Sequence, residues 1–322
     1  MSAADPIDFH HDPVMRDEIV ELFSVVPGGT ILDATLGGGG HSEAILESRP
    51  DLNVLGLDRD PRAIEAATIR LSRFGDRFRS SQRRFDELEH GMADHGVEEL
   101  SGALFDLGVS SHQLDVADRG FSFRHDGPLD MRMGPDAEWS AHDIVNGYDL
   151  DRLADIIRRH GDERFARRIA QAIVADRPIE TTNRLAEVVV SAIPAPARRT
   201  GGHPAKRTFQ AIRIEVNGEL DVLPDAIDRA IEQVVPGGRV AVLSYHSGED
   251  RIVKDRMIAA TSPCECPAEL PCVCGAIQTV RVVRRVPKRP TVDEVARNRR
   301  ASSARLRVVE RIAERVTARN GH

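Results

Sequence analysis

A carboxylate, four glycines and a histidine follow one another early in the chain, in an order that suits nucleotide binding. Asp33 ends a short apolar run, residues 37–40 are all glycine, and His41 opens a helix-like segment. Glycine lets a ligand approach the backbone, and the N–H groups at a helix start attract negative charge. Asp58 ends the next apolar run, where a carboxylate can accept two ribose hydroxyls. The pattern predicts a nucleotide site.

Two classes of nucleotide cofactor share this arrangement, the dinucleotides and S-adenosylmethionine. The dinucleotide fingerprint needs a third glycine, and this chain has Ser42 at that position. Asp33 lies before the glycines, where a carboxylate suits a ligand that carries an ammonium and a sulfonium group and has no pyrophosphate. Electrostatics therefore favours S-adenosylmethionine, and an NAD-dependent oxidoreductase is the disfavoured alternative.

A third carboxylate, Asp106, follows the buried run at residues 102–105. Ligands of open α/β sheets bind at the carboxyl ends of the strands, which is where this pattern puts Asp106. Ser110, Ser111 and Gln113 come soon after, and such residues serve equally well as turn formers or as ligand contacts.

The elements that must position these residues alternate between strand and helix. Apolar runs at residues 30–33, 54–57, 103–106 and 239–244 predict strands, and residues 41–47 and 61–73 predict helices. The Pro-Gly-Gly sequences at 27–29 and 236–238 are interpreted as turns at which strands begin. The fold class predicted is α/β, with a mainly parallel sheet covered by helices.

The alternation stops in the middle of the chain. Residues 115–215 contain amphipathic segments at 150–159, 164–175 and 182–192, with polar connections and no convincing strand. This indicates an inserted helical domain. The predicted boundaries are 1–113 and 216–322 for a discontinuous catalytic domain, and 114–215 for the helical substrate-recognition domain.

Composition excludes some classes of protein and reveals an uneven charge. The net charge is −7, no apolar run reaches the roughly 18 residues that a membrane span needs, and the N-terminus has no secretory pattern. A cytoplasmic protein without a membrane partner is expected. Residues 281–320 nevertheless hold 13 Arg or Lys and 4 Asp or Glu. This basic tail can contact a polyanion while the rest of the chain stays acidic.

All four cysteines lie within eleven residues, at Cys264, Cys266, Cys272 and Cys274. Four thiolates can bind zinc, although pairs separated by a single residue are less regular zinc ligands than Cys-x-x-Cys pairs. Reduced thiols are the alternative, and no metal is predicted.

Many longer segments resemble the bacterial small-subunit ribosomal RNA (cytosine-N4)-methyltransferase family, also called RsmH or MraW. The resemblance covers nearly the whole chain. Its segments are 11–14, 33–42, 56–61, 106–111, 119–123, 126–133, 161–165, 203–205, 207–213, 216–217, 236–239, 245–247, 249–254 and 305–311. The chain departs from the usual pattern at His112, Gly248 and Arg299, and Gly248 makes any substrate role of the neighbouring His246 and Glu249 less secure.

The resemblance implies a Rossmann-like class I methyltransferase sheet interrupted by a helical domain. It also implies methyl transfer from S-adenosylmethionine to the exocyclic N4 amine of one cytidine in the decoding centre (P site) of 16S ribosomal RNA, within the small (30S) subunit. The cofactor contacts that it implies are Gly39, Gly40, His41, Asp58, Phe85, Asp106 and Gln113, with Phe85 against the adenine.

Methylation of a cytosine amine calls for precise positioning and for an acceptor of an amine proton. Asp106, Asp130 and the backbone near Leu107 stay open as that acceptor. RNA is expected to meet the basic tail, residues 198–213 and the helical insert, and a homodimer is a further possibility. Rival hypotheses are a cofactor-binding scaffold without activity, and a methyltransferase that acts on protein or on a small molecule.

Overall fold

The computed structural model describes residues 13–109, 116–199, 202–262, 266, 274 and 276–316. The chain divides into two compact units. The first unit consists of residues Met1–Gly108 and Val222–His322, and the second consists of Val109–Asp221. The first unit is therefore discontinuous in sequence. Its boundaries fall within six residues of those predicted from the sequence.

A seven-stranded sheet forms the centre of the first unit. The strands are β1 (Gly29–Asp33), β2 (Leu52–Asp58), β3 (Phe78–Gln82), β4 (Leu100–Asp106), β5 (Val234–Ser244), β6 (Ile277–Val282) and β7 (Arg305–Val316). Their order across the sheet is β3-β2-β1-β4-β5-β7-β6. The first five strands in that order pair in parallel, and β7 is antiparallel to both β5 and β6. This Rossmann-like sheet confirms the predicted α/β class.

Burial explains why the central strands read as continuous apolar runs. Every residue of β4 before Asp106 is buried, because helices cover both faces of a parallel sheet. The helices of this unit are α1 (Arg16–Phe23), α2 (Gly40–Ser48), α3 (Pro61–Leu71), α4 (Leu88–Asp94), α11 (Ser247–Thr261) and α12 (Val292–Arg297). Asp33, Asp58 and Asp106 end β1, β2 and β4. The parallel pairing brings these three carboxylates to one edge of the sheet.

The two Pro-Gly-Gly sequences differ in the structure. The first precedes β1, which begins at Gly29 as predicted. The second does not precede its strand, because Pro236, Gly237 and Gly238 lie inside β5. The pairing with β4 shifts register there, and Gly237 has a φ of 89°. The predicted turn is therefore wrong, since glycine at positive φ here forms a bulge within a longer strand.

The second unit is helical. Its helices are α5 (Ala141–Gly147), α6 (Leu150–Gly161), α7 (Ala166–Asp176), α8 (Thr182–Ala192) and α9 (Lys206–Asn217), and α10 (Glu219–Gln233) continues from it into the first unit. Within its described residues the β-pairing amounts to an isolated bridge between Pro128 and Thr181. Buried aliphatic side chains on the inward faces of these helices form its core. Across the described part of the whole chain, no helix is long and apolar enough to cross a membrane.

Candidate active site

The glycine turn connects β1 to α2 at the edge where the three carboxylates lie. The N–H of Leu36 donates to the carbonyl of Leu57 at 2.9 Å, and the N–H of Gly39 donates to the carbonyl of Leu36 at 2.8 Å. Gly37 and Gly39 have φ of 51° and 76°, a region that side chains disfavour. A Cβ at Gly40 would lie 2.7 Å from Cγ of Pro13. The tight backbone thus explains three of the four glycines without a ligand.

Backbone donors orient the Asp58 carboxylate. The N–H of Gly37 donates to Oδ2 at 2.8 Å and the N–H of Asp60 donates to Oδ1 at 2.9 Å. Burial nevertheless raises the pKa of Asp58 from 3.8 to about 6. Each oxygen keeps a lone pair. The group is therefore a fixed double acceptor, which is what a pair of ribose hydroxyls requires.

Asp33 lies deeper, with 1% of its surface exposed. The hydroxyl of Ser42 donates to its Oδ2 at 2.6 Å, and the N–H of Thr35 points at Oδ1 from 3.4 Å. Burial raises the pKa of Asp33 against the opposing effect of Ser42. The Ser42 contact also ties α2 to the end of β1. Asp33 thus helps to fix α2 against the end of β1. Its contact with the ammonium group of a ligand stays a prediction.

Asp106 belongs to a cluster of side chains whose mutual contacts the sequence did not predict. The phenol of Tyr245 donates to Oδ1 of Asp106 at 2.6 Å, and Nε2 of His41 lies 3.4 Å from Oδ2. The backbone N–H of Asp106 donates to the hydroxyl of Thr35 at 2.6 Å, which connects β4 to β1. Burial and the nearby Asp106 carboxylate raise the pKa of Tyr245 well above its ordinary value, so the phenol stays protonated and remains a donor.

His41 is the first residue after Gly40 in α2, and its side chain is 7% exposed. Neither ring nitrogen has a hydrogen-bond partner among the described residues. The contact of Nε2 with Asp106 at 3.4 Å lacks hydrogen-bond geometry, and a buried imidazole without hydrogen bonds is costly. A ligand carboxylate at the start of α2 would supply an acceptor and would also meet the positive end of the helix dipole. His41 is thus suited to donate a hydrogen bond to the carboxylate of S-adenosylmethionine.

The turn after β5 positions Tyr245 through a helix cap. Oε2 of Glu249 accepts from the backbone N–H groups of Tyr245 and His246, at 2.7 and 3.2 Å. Nδ1 of His246 accepts from the N–H of Glu249 at 3.3 Å, which completes a reciprocal capping box at the start of α11. The sequence pointed to residues 245–247 only through the family resemblance. The acidic residue three positions after the cap was the available signal.

The remaining predicted residues have different settings. Phe85 lies in a short turn after β3 and packs edge-on against Phe105, with 6.0 Å between the ring centroids. Asp130 belongs to the second unit, where Arg132 donates to both of its oxygens, at 2.6 and 3.1 Å. Gln113, Ser110 and Ser111 lie outside the described residues. The same is true of Cys264 and Cys272, and the described residues contain no cluster that could hold a metal.

Comparison with known proteins identifies the family. The model of the MraW methylase family matches residues 8–312. Two relatives carry the name Ribosomal RNA small subunit methyltransferase H. The one from Symbiobacterium thermophilum is 48% identical over 309 residues, which cover 94% of this chain and 97% of the relative. The one from Kocuria rhizophila is 50% identical over 321 residues, covering 97% of each.

Similarity to solved structures is weaker. An rRNA methylase from Streptococcus thermophilus superimposes with a TM-score of 0.39 at 11% identity, covering 92% of this chain and 94% of that one. A likeness of that size does not identify a function. The family match over nearly the full length does, and the chain belongs to the MraW methylase family, which consists of S-adenosylmethionine-dependent methyltransferases.

Proposed function

We propose that this protein methylates the exocyclic N4 amine of a specific cytidine in the decoding centre of 16S ribosomal RNA. The names of its relatives support RNA of the small ribosomal subunit as the substrate. The observation that carries the proposal is the convergence of Asp58, His41 and Asp106 around one glycine turn at the carboxyl edge of the sheet. That arrangement suits a nucleoside with a charged amino-acid end.

The cofactor-binding residues follow from what each group offers. Asp58 accepts the ribose hydroxyls, and Phe85 provides an aromatic surface for the adenine. Gly39 and Gly40 allow the backbone to approach the amino-acid end, where His41 supplies a donor. Asp33 contributes negative charge near the ammonium, and Gln113 is a further contact expected from the family resemblance.

S-adenosylmethionine, when bound, supplies an electrophilic methyl group on a sulfonium. The chain has to hold the cytidine amine in line with that methyl and accept a proton as the amine becomes cationic. Asp106 is the acceptor that the structure favours, because Tyr245 holds one of its oxygens and leaves it further lone pairs. Asp130 is the weaker alternative, since Arg132 already donates to both of its oxygens. The backbone near Leu107 is the third candidate for the proton acceptor.

The assembled small (30S) subunit is the proposed substrate, because one nucleotide among many must be recognised largely by shape. The target base must also swing out of its stack, at a cost of a few kcal/mol. A substrate of this kind places the reaction in the cytoplasm. A homodimer stays a prediction that sedimentation of the purified protein would test.

The experiment is transfer of a labelled methyl group to small subunits taken from cells that lack this protein, followed by nucleoside analysis of the RNA. Label should appear as N4-methylcytidine, and Asp58→Ala and Asp106→Ala should each abolish it. If neither subunits nor naked RNA take up label from a protein that binds S-adenosylmethionine, the proposed substrate is wrong. The alternatives would then be a cofactor-binding scaffold without activity and a methyltransferase that acts on protein.

A further inference from the structure

The contacts of individual arginines separate those that hold the fold together from those that are free to bind a partner. In the second unit, the basic stretch at residues 198–213 is largely engaged. Arg198 donates to the carbonyls of Ile193 and Ser191, and Arg207 donates to the carbonyl of Asp162. Arg213 forms an ion pair with Glu219 in which both side chains are nearly buried. These three arginines therefore have structural partners.

Four arginines of strands β6 and β7 are engaged as well. Asp250 accepts from Arg305 and Arg307, and Glu310 pairs with Arg281 at 2.5 Å. Arg311 donates to a backbone carbonyl. These contacts attach the antiparallel strands to the rest of the first unit. Four of the thirteen Arg or Lys of the tail are thus neutralised or used within the fold.

The connection between β6 and β7, residues 283–304, is different. It holds seven Arg or Lys and two carboxylates. All seven of these cations are exposed, and six of them form no ion pair with a residue that the structure describes. They are Arg284, Arg285, Lys288, Arg289, Arg297 and Arg299. We call residues 283–304 the basic connection.

The topology places the basic connection at the edge of the sheet that carries the candidate active site. The last residue of β5, Ser244, pairs with Arg305, the first residue of β7. Strand β6 runs parallel to β5, because both are antiparallel to β7. The connection therefore leaves β6 and enters β7 at the carboxyl edge, where Asp58 and Asp106 also lie.

The backbone of this connection is anchored even though its cations face solvent. The N–H of Val283 donates to the carbonyl of Val308 at 3.0 Å, and the N–H of Leu306 donates to the carbonyl of Lys288 at 3.1 Å. Oε1 of Glu294 accepts from the N–H of Met15 at 2.7 Å. Ala301 and Ala304 are buried in the core of the first unit. The cations therefore project from a fixed support.

We propose that the basic connection binds the phosphate backbone of the RNA on either side of the nucleotide that is methylated. The proposal rests on the proposed function, because it takes RNA as the substrate. Fixed, unpaired cations beside an active site neutralise phosphates and orient the chain of nucleotides without reading its sequence. Each phosphate contact releases counterions, so the binding depends steeply on salt.

The test compares two full-length triple variants that remove the same charges. The first combines Arg285→Gln, Lys288→Gln and Arg297→Gln in the basic connection. The control combines Arg62→Gln, Arg79→Gln and Lys254→Gln, which lie on α3, β3 and α11 of the first unit, outside the helical insert. These control side chains are also exposed and have no ion pair with a described residue. Binding of a 16S RNA transcript and of isolated small subunits is measured from 50 to 300 mM salt.

The first variant should bind RNA on the order of 10- to 100-fold more weakly near 0.15 M salt, with a salt slope lower by about 2. The control should stay within about threefold of the parent, and both should bind S-adenosylhomocysteine like the parent. An equal loss of RNA binding in both variants, or an unchanged salt slope in the first, overturns the proposal.

Nucleoside analysis of the methylated RNA distinguishes a failure of the proposed RNA-binding surface from a failure of the proposed function. If the first variant loses RNA affinity selectively while the parent makes a product other than N4-methylcytidine, the RNA-binding surface stands and the proposed reaction is wrong. If the parent makes N4-methylcytidine and the two variants bind RNA equally, the reaction stands and the surface is wrong.

Discussion

The two halves of the candidate active site hold their carboxylates in different ways. In the β1–β2 half, backbone N–H groups from Gly37 and Asp60 orient Asp58. In the β4–β5 half, one side chain orients Asp106, and that side chain belongs to Tyr245, 139 residues further along the chain. Backbone donors are present whatever the side chains are. The first half is thus built into the local chain path, whereas the second depends on a single phenol.

Removing Asp58 should have the largest effect. Asp58→Ala deletes both acceptors for the ribose hydroxyls, and hydrogen bonds to a charged group contribute about 1.5–3 kcal/mol each. The affinity for S-adenosylhomocysteine, measured by calorimetry, should fall by roughly 100-fold or more. Asp51→Ala, which removes an exposed carboxylate paired with Arg49, should leave the affinity unchanged. Equal affinities in the two variants would show that Asp58 does not hold the ribose.

Acid should weaken the same half of the site. The pKa of Asp58 is raised to about 6, so below that pH the carboxylate gains a proton and loses acceptor capacity. Affinity for S-adenosylhomocysteine should fall by about tenfold between pH 7 and pH 5. Asp58→Asn should remove this dependence. A parent profile that is flat between pH 5 and 7 would contradict the raised pKa.

The raised pKa also predicts a stability effect of opposite sign in the cofactor-free protein. Between about pH 4 and pH 6 the folded chain keeps the Asp58 proton that the unfolded chain has released, so this group destabilises the fold as the pH rises. The thermal unfolding temperatures of the parent and of Asp58→Asn should differ less at pH 4 than at pH 6. A gap between the two unfolding temperatures that stays constant across this range would argue against a raised pKa of Asp58.

The Tyr245 phenol tests the other half. Tyr245→Phe removes the donor to Asp106 and keeps the ring, so the turnover rate should fall by about fivefold to tenfold with little change in cofactor affinity. In a double-mutant cycle with Asp106→Asn, the second substitution should add little to the first, because both act through one contact. Fully additive losses would mean that Tyr245 does not act by positioning Asp106.

The smallest expected effect concerns the glycine turn. Gly39→Ala forces an alanine to a φ of 76° and places its Cβ 3.0 Å from Leu71. Gly96 has a similar φ of 63° and open space where a Cβ would lie, so Gly96→Ala isolates the backbone cost of about 1 kcal/mol. Denaturant unfolding should show Gly39→Ala to be the more destabilised of the two. Equal losses would remove packing against Leu71 as a reason for the glycine.

Sequence patterns predicted the features of this protein that depend on residues close together in the chain. The apolar runs before Asp33, Asp58 and Asp106 predicted strands that the structure contains, because a buried parallel strand needs apolar residues on both faces. The break in alternation likewise predicted a helical region, and helices α6, α7 and α8 lie within a few residues of the predicted segments. Local periodicity and turn chemistry suffice for such elements.

The tertiary structure alone decided the contacts between distant segments. Nothing in the chain near Asp106 indicates Tyr245 as its partner, since the contact exists only because β5 pairs with β4 after the helical unit. Composition alone also treats all tail arginines alike. Whether an arginine is neutralised, as Arg307 is by Asp250, or left exposed, as Arg285 is, depends on which carboxylates the fold brings within reach. Short-range patterns are encoded residue by residue, whereas such pairings arise only when the whole sheet has formed.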